Sequence, residues 1–180
     1  MPEEFTRRQG VVTAATQDKI KEFVNAGGTV VYIGDVTMAA AQAFNLPVTN
    51  HLEGLGQDKF YVPGSVLRMT VDPNDPVAHG MNKEMDVFFD NDPVFKLGAD
   101  AAAKGVRPVG WFATDDPLRS GWAVGQEKLK GSTGVLDIDV GKGKLFVMGP
   151  EVTQRAQSYG TFKFLFNGIL ASNAERSSMR

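Results

Sequence analysis

A short apolar run between two glycine turns limits the fold of this chain more than any other feature. The run Thr29–Ile33 is mostly β-branched, follows Gly27-Gly28 and precedes Gly34, which is typical of a buried strand. Upstream, apolar residues at helical spacing predict a helix that begins at Thr16, its expected N-cap, and ends at the paired glycines. Downstream, residues 36–44 are rich in alanine and favour a second helix. A helix, strand, helix unit of this kind indicates an α/β fold.

The middle of the chain alternates short apolar runs with clusters of Pro, Gly, Asn and Asp, a pattern that predicts strands and loops. The predicted strands cover residues 65–71, 85–89 and 106–113. Residues 134–140 and 144–148 flank a Gly-Lys-Gly turn, which predicts a β-hairpin. Because that turn joins two strands, and not a strand and a helix, it does not fit a Walker phosphate loop.

The last apolar segment predicts an amphipathic helix over residues 161–171, with one broad apolar face formed by Phe162, Leu165, Phe166, Ile169 and Leu170. Together the elements predict a flavodoxin-like three-layer α/β sandwich, with a mostly parallel sheet, helices on both faces and a C-terminal β-hairpin. We expect one domain over residues 16–172. The polar ends predict a flexible leader at residues 1–15 and a flexible tail at residues 173–180.

Composition excludes several classes of function. The 180 residues include no cysteine, which rules out disulfides, thiolate metal sites and a cysteine nucleophile. A formal net charge of -2 argues against nucleic acid as a partner. No stretch approaches the roughly 20 consecutive apolar residues that cross a bilayer, so no membrane span is predicted. Composition does not exclude a homo-oligomer.

The residues that could bind a metal or catalyse do not form known motifs. His51 and His79 lack H-E-x-x-H or H-x-x-E spacing, so we expect two loop histidines and no metal site. No serine lies in a G-x-S-x-G motif. Asp86, Asp90 and Asp92 lack the glycine pivot and final glutamate of an EF-hand, so we expect solvated loop charges. Five aromatic residues could line a pocket for a sugar or peptide ring, although at strand spacing such residues more often lie in the core: Phe60, Tyr61, Trp111, Phe112 and Trp122.

The segment Phe23–Val36 resembles the nucleophile-elbow region of class I glutamine amidotransferase-like domains. In that family a helix and a glycine turn lead into a strand that ends in G-x-C-x-G. Gly34 stands at the cysteine position here, with Asp35 beside it. The family's second motif, H-P-E after a late strand, is matched by Gly149-Pro150-Glu151, in which Gly149 replaces the histidine and Glu151 is kept. The resemblance therefore implies the fold without its nucleophile and base, a pseudoenzyme with no catalytic residue.

A second resemblance covers about residues 20–170 and depends on four segments, at residues 60–65, 75–81, 120–122 and 154–163. These segments resemble the C-terminal region of bacterial zinc carboxypeptidases, in which a carboxypeptidase A-like catalytic domain precedes an amidotransferase-like domain. The resemblance implies an exported zinc metallopeptidase as the parent, with the zinc ligands upstream. It implies no metal or other cofactor in this chain.

We expect Gly34, Asp35 and Glu151 to meet beyond the carboxyl ends of the strands, with Arg155 and Gln157 close behind as a contact surface. The first hypothesis is an accessory domain that packs on the peptidase domain of the same polypeptide and borders its cleft, which predicts a bare apolar or aromatic patch. The alternative is a module that binds a peptide or cell-wall fragment in the degenerate amidotransferase pocket near Asp35 and Glu151. A third hypothesis is an independent hydrolase that uses either carboxylate.

Overall fold

A mixed β-sheet forms the centre of the computed structural model, which describes residues 12–171. Within those residues the sheet has nine strands: β1 (Thr29–Ile33), β2 (Val48–Asn50), β3 (Ser65–Val71), β4 (Glu84–Phe89), β5 (Phe95–Leu97), β6 (Val106–Trp111), β7 (Leu118–Ser120), β8 (Thr133–Val140) and β9 (Gly143–Met148). The same residues form three α-helices: α1 (Ala14–Asn25), α2 (Val36–Ala43) and α3 (Phe162–Ala171).

The sheet is mostly antiparallel, so the prediction of a mostly parallel sheet is wrong. The main strand order is β1-β9-β8-β6-β3-β4, while β5 joins β8 to β2, and β7 pairs with β3. Among the described pairs only β1 and β9 run parallel. Parallel neighbours need a long crossover, usually a helix. From β3 to β9 the chain has only short 3-10 turns, which return it to antiparallel neighbours.

The predicted β-hairpin is confirmed, and it lies inside the sheet. Strands β8 and β9 pair antiparallel, with Val140 opposite Gly143. Helix α1 begins earlier than predicted, because the Thr13 hydroxyl accepts the backbone N–H of Thr16 at 3.2 Å and Thr13 is the N-cap. The predicted tail at residues 173–180 lies outside the described residues, as does most of the leader at residues 1–15, while Ala14 already belongs to α1.

Helices cover both faces of the sheet. On one face, residues of α1 and α2 pack against a buried cluster that includes Leu136, Ile138, Leu145 and Val147. On the other face, Phe164 of α3 joins a larger cluster that includes Met69, Val109, Val135, Phe146 and Met148. The large apolar side chains therefore form two cores separated by the sheet. In the described part of the chain, no helix is both long enough and apolar enough to cross a membrane.

Helix α3 packs with a different face inward from the one predicted. Phe164 and Gly168 are buried, whereas Phe166, Ile169 and Leu170 are 56%, 54% and 69% exposed. A Cβ atom at Gly168 would lie 3.2 Å from side-chain atoms of both Phe146 and Val31, so the helix approaches the sheet most closely at this glycine. The spacing of large apolar residues cannot reveal a contact that depends on a missing side chain.

Candidate functional site

The parallel strands β1 and β9 end side by side, and this edge carries the residues of the predicted site. Ile33 lies opposite Met148, and the backbone N–H of Gly34 donates to the Met148 carbonyl at 2.9 Å. The chain turns at Gly34, where φ is +74°, and enters α2. The Thr37 hydroxyl donates to the Gly34 carbonyl at 2.8 Å. A strand, tight turn and helix are therefore present, as in a nucleophile elbow, with a glycine at the apex.

The structure brings Gly34 and Glu151 together. A Cβ atom at Gly34 would lie 3.5 Å from Cγ and 3.7 Å from Oε1 of Glu151, which is ordinary van der Waals contact. Asp35 is exposed beside them, and its side chain makes no capping hydrogen bond to α2. The turn thus presents two carboxylates. The nearby Thr37 hydroxyl is buried and donates to the Gly34 carbonyl.

Gly149 is buried against the loop that precedes β5. Its backbone N–H donates to the Gly134 carbonyl at 2.8 Å. A Cβ atom at Gly149 would lie 1.8 Å from the Pro93 carbonyl oxygen, far inside van der Waals contact. A histidine therefore cannot replace Gly149 without a shift of the backbone.

Asp92, which no sequence pattern assigned to the site, is buried at the same edge with 4% exposure. Its Oδ2 accepts the backbone N–H of Asp90 at 3.0 Å. Burial is the main cause that raises the pKa of Asp92 from its ordinary 3.8 to about 7, and the charges of Glu151 and Asp35 act in the same direction. The prediction that Asp92 is a solvated loop charge is therefore wrong.

The position of Asp92 depends on tertiary contacts that leave no local signal. Strand β5 has 3 residues, and its first residue, Phe95, pairs with Thr133 at the start of β8. That pairing brings the loop before β5 to the end of β9. Asp90, by contrast, is exposed as predicted. Asp86 is also exposed, but it lies in β4 and not in a loop, and its carboxylate accepts two hydrogen bonds from Arg68.

Arg155 and Gln157 lie in the turn that follows Glu151, and both are exposed. In the described part of the chain, no hydrogen bond or ion pair joins either residue to Gly34, Asp35 or Glu151. Arg155 has a φ of +44°, which is uncommon for a residue other than glycine. A second 3-10 turn, Tyr159–Thr161, separates both residues from α3.

The histidines and aromatic residues do not build a second site. His51 places Nε2 at 2.9 Å from the Lys128 carbonyl oxygen, and His79 is exposed. Phe60 and Phe112 are buried and pack edge to face on Phe89. Residues 12–171 contain no cluster of three or more His, Asp or Glu that could hold a metal ion.

Two aromatic residues form a pair at the surface. The rings of Tyr61 and Trp122 pack edge to face with centroids 5.8 Å apart, and Trp122 is 55% exposed. The five aromatic residues considered from sequence are thus split between the core and the surface.

A cleft of about 680 Å³ lies between α2 and β2. Met38, Val48, Gln42, Asn45 and Glu53 are among the residues that line it. Neither Asp35 nor Glu151 lines this cleft, so it is distinct from the pocket predicted at the amidotransferase-like edge.

No family model and no curated protein matches the sequence. Solved structures do match. A GMP synthase subunit from Thermoplasma acidophilum matches with a TM-score of 0.55 and 11% identity over 88% of this chain and 64% of its own. A ThuA-like protein from Parabacteroides merdae matches with a TM-score of 0.55 and 13% identity over 93% of this chain and 68% of its own. The chain has a class I glutamine amidotransferase-like fold.

This fold also occurs as part of a much longer chain. A β-galactosidase from Bacillus circulans sp. alkalophilus matches with a TM-score of 0.52 and 10% identity, over 88% of this chain and 20% of its own. This chain therefore spans about a fifth of that galactosidase and, at 64%, about two thirds of the GMP synthase protein. Identities this low show the fold alone.

Proposed function

We propose that this chain is a non-catalytic accessory domain of a zinc carboxypeptidase. In this proposal it packs on the peptidase domain of the same polypeptide and borders the substrate cleft. The observation that carries the proposal is the outward face of α3 and of the 3-10 turn before it, where Tyr159, Phe166 and Leu170 are 79%, 56% and 69% exposed. An accessory domain without its neighbour is expected to expose such an apolar patch.

The amidotransferase-like edge supports a non-catalytic role. Gly34 offers no nucleophile, and the space that a histidine would need at Gly149 is filled by the backbone of Pro93. Asp35 and Glu151 could in principle serve a separate hydrolase, but neither has a histidine partner among the described contacts. A carboxylate with no acid or base partner gives weak support for the hydrolase hypothesis.

The choice of a zinc carboxypeptidase as the parent rests on a sequence resemblance alone. Segments at residues 60–65, 75–81, 120–122 and 154–163 resemble the C-terminal region of bacterial zinc carboxypeptidases. In the β-galactosidase the same fold is about a fifth of a longer chain, so this fold can accompany other domains. We expect zinc in the catalytic domain of the parent, and we expect the parent to be exported.

A small-ligand binding module is the second candidate. The cleft of about 680 Å³ between α2 and β2 favours it, because Gln42, Asn45 and Glu53 place polar groups around apolar residues. Titration of the 180-residue chain with short peptides and cell-wall fragments, followed by calorimetry, would detect such a ligand. Saturable binding that Gln42→Ala weakens would move this candidate to first place.

The proposed function is tested by peptidase activity with zinc supplied, on a peptide that ends in a free carboxylate. Three proteins are compared: the full-length parent, the parent without this domain, and the 180-residue chain alone. We expect activity in the first, a loss in the second that added chain reverses, and none in the third. A stable truncated parent with unchanged turnover would contradict the proposal.

A further inference from the structure

The outer edge of β2 carries backbone groups that the described fold does not pair. Successive residues of an antiparallel strand direct their N–H and C=O groups alternately toward the partner strand and away from it. His51, directly after β2, donates its N–H to the Val94 carbonyl at 2.8 Å, on the side of β5. Thr49, two residues earlier, therefore faces β5, and the backbone groups of Val48 and Asn50 face away from it.

The chain itself satisfies two of these four outward groups. The Val48 N–H donates to the Leu46 carbonyl at 2.8 Å, and the Asn50 carbonyl accepts the N–H of Glu53 at 3.2 Å. In the described part of the chain, no hydrogen bond reaches the Val48 carbonyl or the Asn50 N–H. One acceptor and one donor thus remain on either side of Thr49, which is the pair that an added strand engages, whether it runs parallel or antiparallel.

This open edge faces the cleft of about 680 Å³ between α2 and β2. Val48, Thr49 and Asn50 are consecutive, and all three line the cleft. Because side chains of a strand alternate between its two faces, a cleft that touches three consecutive residues lies along the strand edge. The opposite wall is one face of α2 and its last turn, since its lining residues follow helical spacing: Met38, Ala41, Gln42 and Asn45.

The cleft combines an apolar floor with one negative charge. Met38 and Leu46 line it and pack against the buried cluster on the α1 and α2 face of the sheet. Glu53 is the one charged residue among those that line the cleft, and it is exposed. Within residues 12–171 no ion pair neutralises Glu53. The lining therefore complements a ligand with apolar and basic groups.

We propose that this cleft binds an extended peptide with apolar and basic side chains, which adds to β2 as a further strand. The Asn50 N–H donates to a peptide carbonyl, and the Val48 carbonyl accepts a peptide N–H. A helix face opposite a strand edge leaves room for one extended segment between them. This inference deepens the second candidate function, the ligand-binding module, and rests on it.

A second copy of the chain is a poorer occupant of the cleft. Its own β2 lies opposite its own α2, so edge-to-edge pairing of two copies would bring both helices into the space that one peptide fills. The edge is also short, with 3 residues in β2. A single extended segment carries no helix and meets no such obstacle.

The direct test titrates the 180-residue chain by calorimetry with a capped hexapeptide in which Val and Lys alternate. Two further peptides carry backbone N-methyl groups, one on every Val and the other on every Lys. In a strand, the N–H groups of alternate residues point to opposite edges, so only one of the two sets faces β2. We expect one methylated peptide to raise Kd by about tenfold or more and the other to bind like the unmethylated peptide. Equal weakening by both, or by neither, would overturn strand addition.

Two variants of Asn50 locate the donor on the protein. Asn50→Pro removes the backbone N–H, whereas Asn50→Ala keeps it and removes only the side chain, whose Oδ1 accepts the N–H of Leu52 at 3.1 Å. An edge strand tolerates proline where the missing N–H points outward. We expect Asn50→Pro to weaken binding of the Val-Lys peptide by about tenfold or more beyond Asn50→Ala. Melting temperatures check that both variants fold, and equal affinities would contradict the proposed donor.

The charge of Glu53 has its own variant. Glu53→Gln should weaken binding of the Val-Lys peptide by about threefold and lower the dependence of Kd on salt concentration, because it removes an attractive charge and keeps the shape. The loss should be smaller for a capped hexapeptide of alternating Val and Thr. Equal effects on the two peptides would overturn the basic part of the proposed ligand chemistry.

The remaining outcomes also decide. If no peptide binds but cell-wall glycans do, and Gln42→Ala weakens them, the ligand-binding module stands and this inference fails. If none of these probes binds, both fail. Sedimentation of the chain alone as a dimer that Asn50→Pro dissociates would assign the edge of β2 to a second copy, and overturns the inference too.

Discussion

The carbonyl oxygen of Pro93 occupies the space in which a side chain at Gly149 would begin. A Cβ atom at Gly149 would lie 1.8 Å from that oxygen, and the Gly149 N–H is held by the Gly134 carbonyl at 2.8 Å. The loop before β5 thus packs directly on the end of β9. Amidotransferases have a histidine at the position of Gly149, and here the Pro93 backbone leaves no room for its side chain. This contact supports the proposal of a non-catalytic domain.

The first prediction concerns this contact. Gly149→Ala should lower the free energy of unfolding by about 3 kcal/mol or more, because the Pro93 loop must move to admit even a methyl group. Gly54→Ala is the control, since Gly54 has a φ of +79° and no atom within 4 Å of an added Cβ. Its cost should be about 1 kcal/mol, for the left-handed backbone alone. Urea denaturation measures both values. Similar losses in the two variants would contradict the close contact.

The second prediction concerns the pH dependence that Asp92 causes. The folded-state pKa of about 7 lies above the ordinary 3.8, so between these values the folded protein holds a proton that the unfolded chain has released. The stability that protonated Asp92 contributes to the folded state is fully present below pH 3.8 and is lost as pH rises through about 7. In that window Asp92 should lower the free energy of unfolding by about 1.4 kcal/mol for each pH unit.

Asp92→Asn isolates this effect from other titrating groups. We expect the stability of the variant to rise relative to the wild type as pH is raised from about 4 to about 8, because the amide does not ionise. Urea denaturation at several pH values provides the comparison. Parallel stability profiles for the two proteins would show that Asp92 titrates normally.

The third prediction concerns a buried ion-pair network across β6, β8 and β9. Asp137 is 1% exposed, Lys144 lies 2.8 Å from its Oδ1, and Arg107 lies 3.0 Å from its Oδ2. Asp137→Ala should cost about 3 kcal/mol, because it leaves two partly buried cations with less compensation. Asp100→Ala breaks an exposed pair with Lys104 at 2.8 Å and should cost much less, because solvent screens that pair. Equal costs would argue against the network.

The fourth prediction compares two phenylalanines of α3. Phe164 is fully buried, whereas Phe166 is 56% exposed. Phe164→Ala should cost about 3–5 kcal/mol, since it leaves a cavity in the core. Phe166→Ala should change stability by no more than about 0.5 kcal/mol. Thermal and urea unfolding measure both. A large loss in Phe166→Ala would mean that α3 packs with its other face inward.

Local patterns predicted the three α-helices and the six longer strands of the described residues, but not the three-residue strands β2, β5 and β7. Strand β3 matches the predicted residues 65–71, and the hairpin turn of β8 and β9 lies at the predicted glycines. In both cases the signal is local, as an apolar run bounded by turn residues. The prediction of mostly parallel strands was wrong because strand direction depends on the connections between strands. Most connections here contain no α-helix, and the strands they join pair antiparallel.

The candidate site was predicted in part for a similar reason. Gly34 and Glu151 follow two parallel neighbours, so their proximity could be expected from strand order. Asp92 reaches the same edge through the pairing of a 3-residue strand, which no periodicity indicates. The face of α3 that packs on the sheet is set by Gly168, where the absence of a side chain permits the closest approach of the helix.

The central proposal is that this chain is a non-catalytic accessory domain that packs on a peptidase domain through the outward face of α3 and the turn before it, with Tyr159, Phe166 and Leu170. The most direct measurement is the peptidase turnover of the parent lacking this domain, with zinc supplied, as the 180-residue chain is titrated back. We predict a saturable recovery of turnover with the wild-type chain and with the control Phe23→Ser, since Phe23 is 55% exposed on α1 across the sheet, and little recovery with Phe166→Ser. Turnover that is already complete before any chain is added, or recovery that is the same with all three chains, would contradict this account.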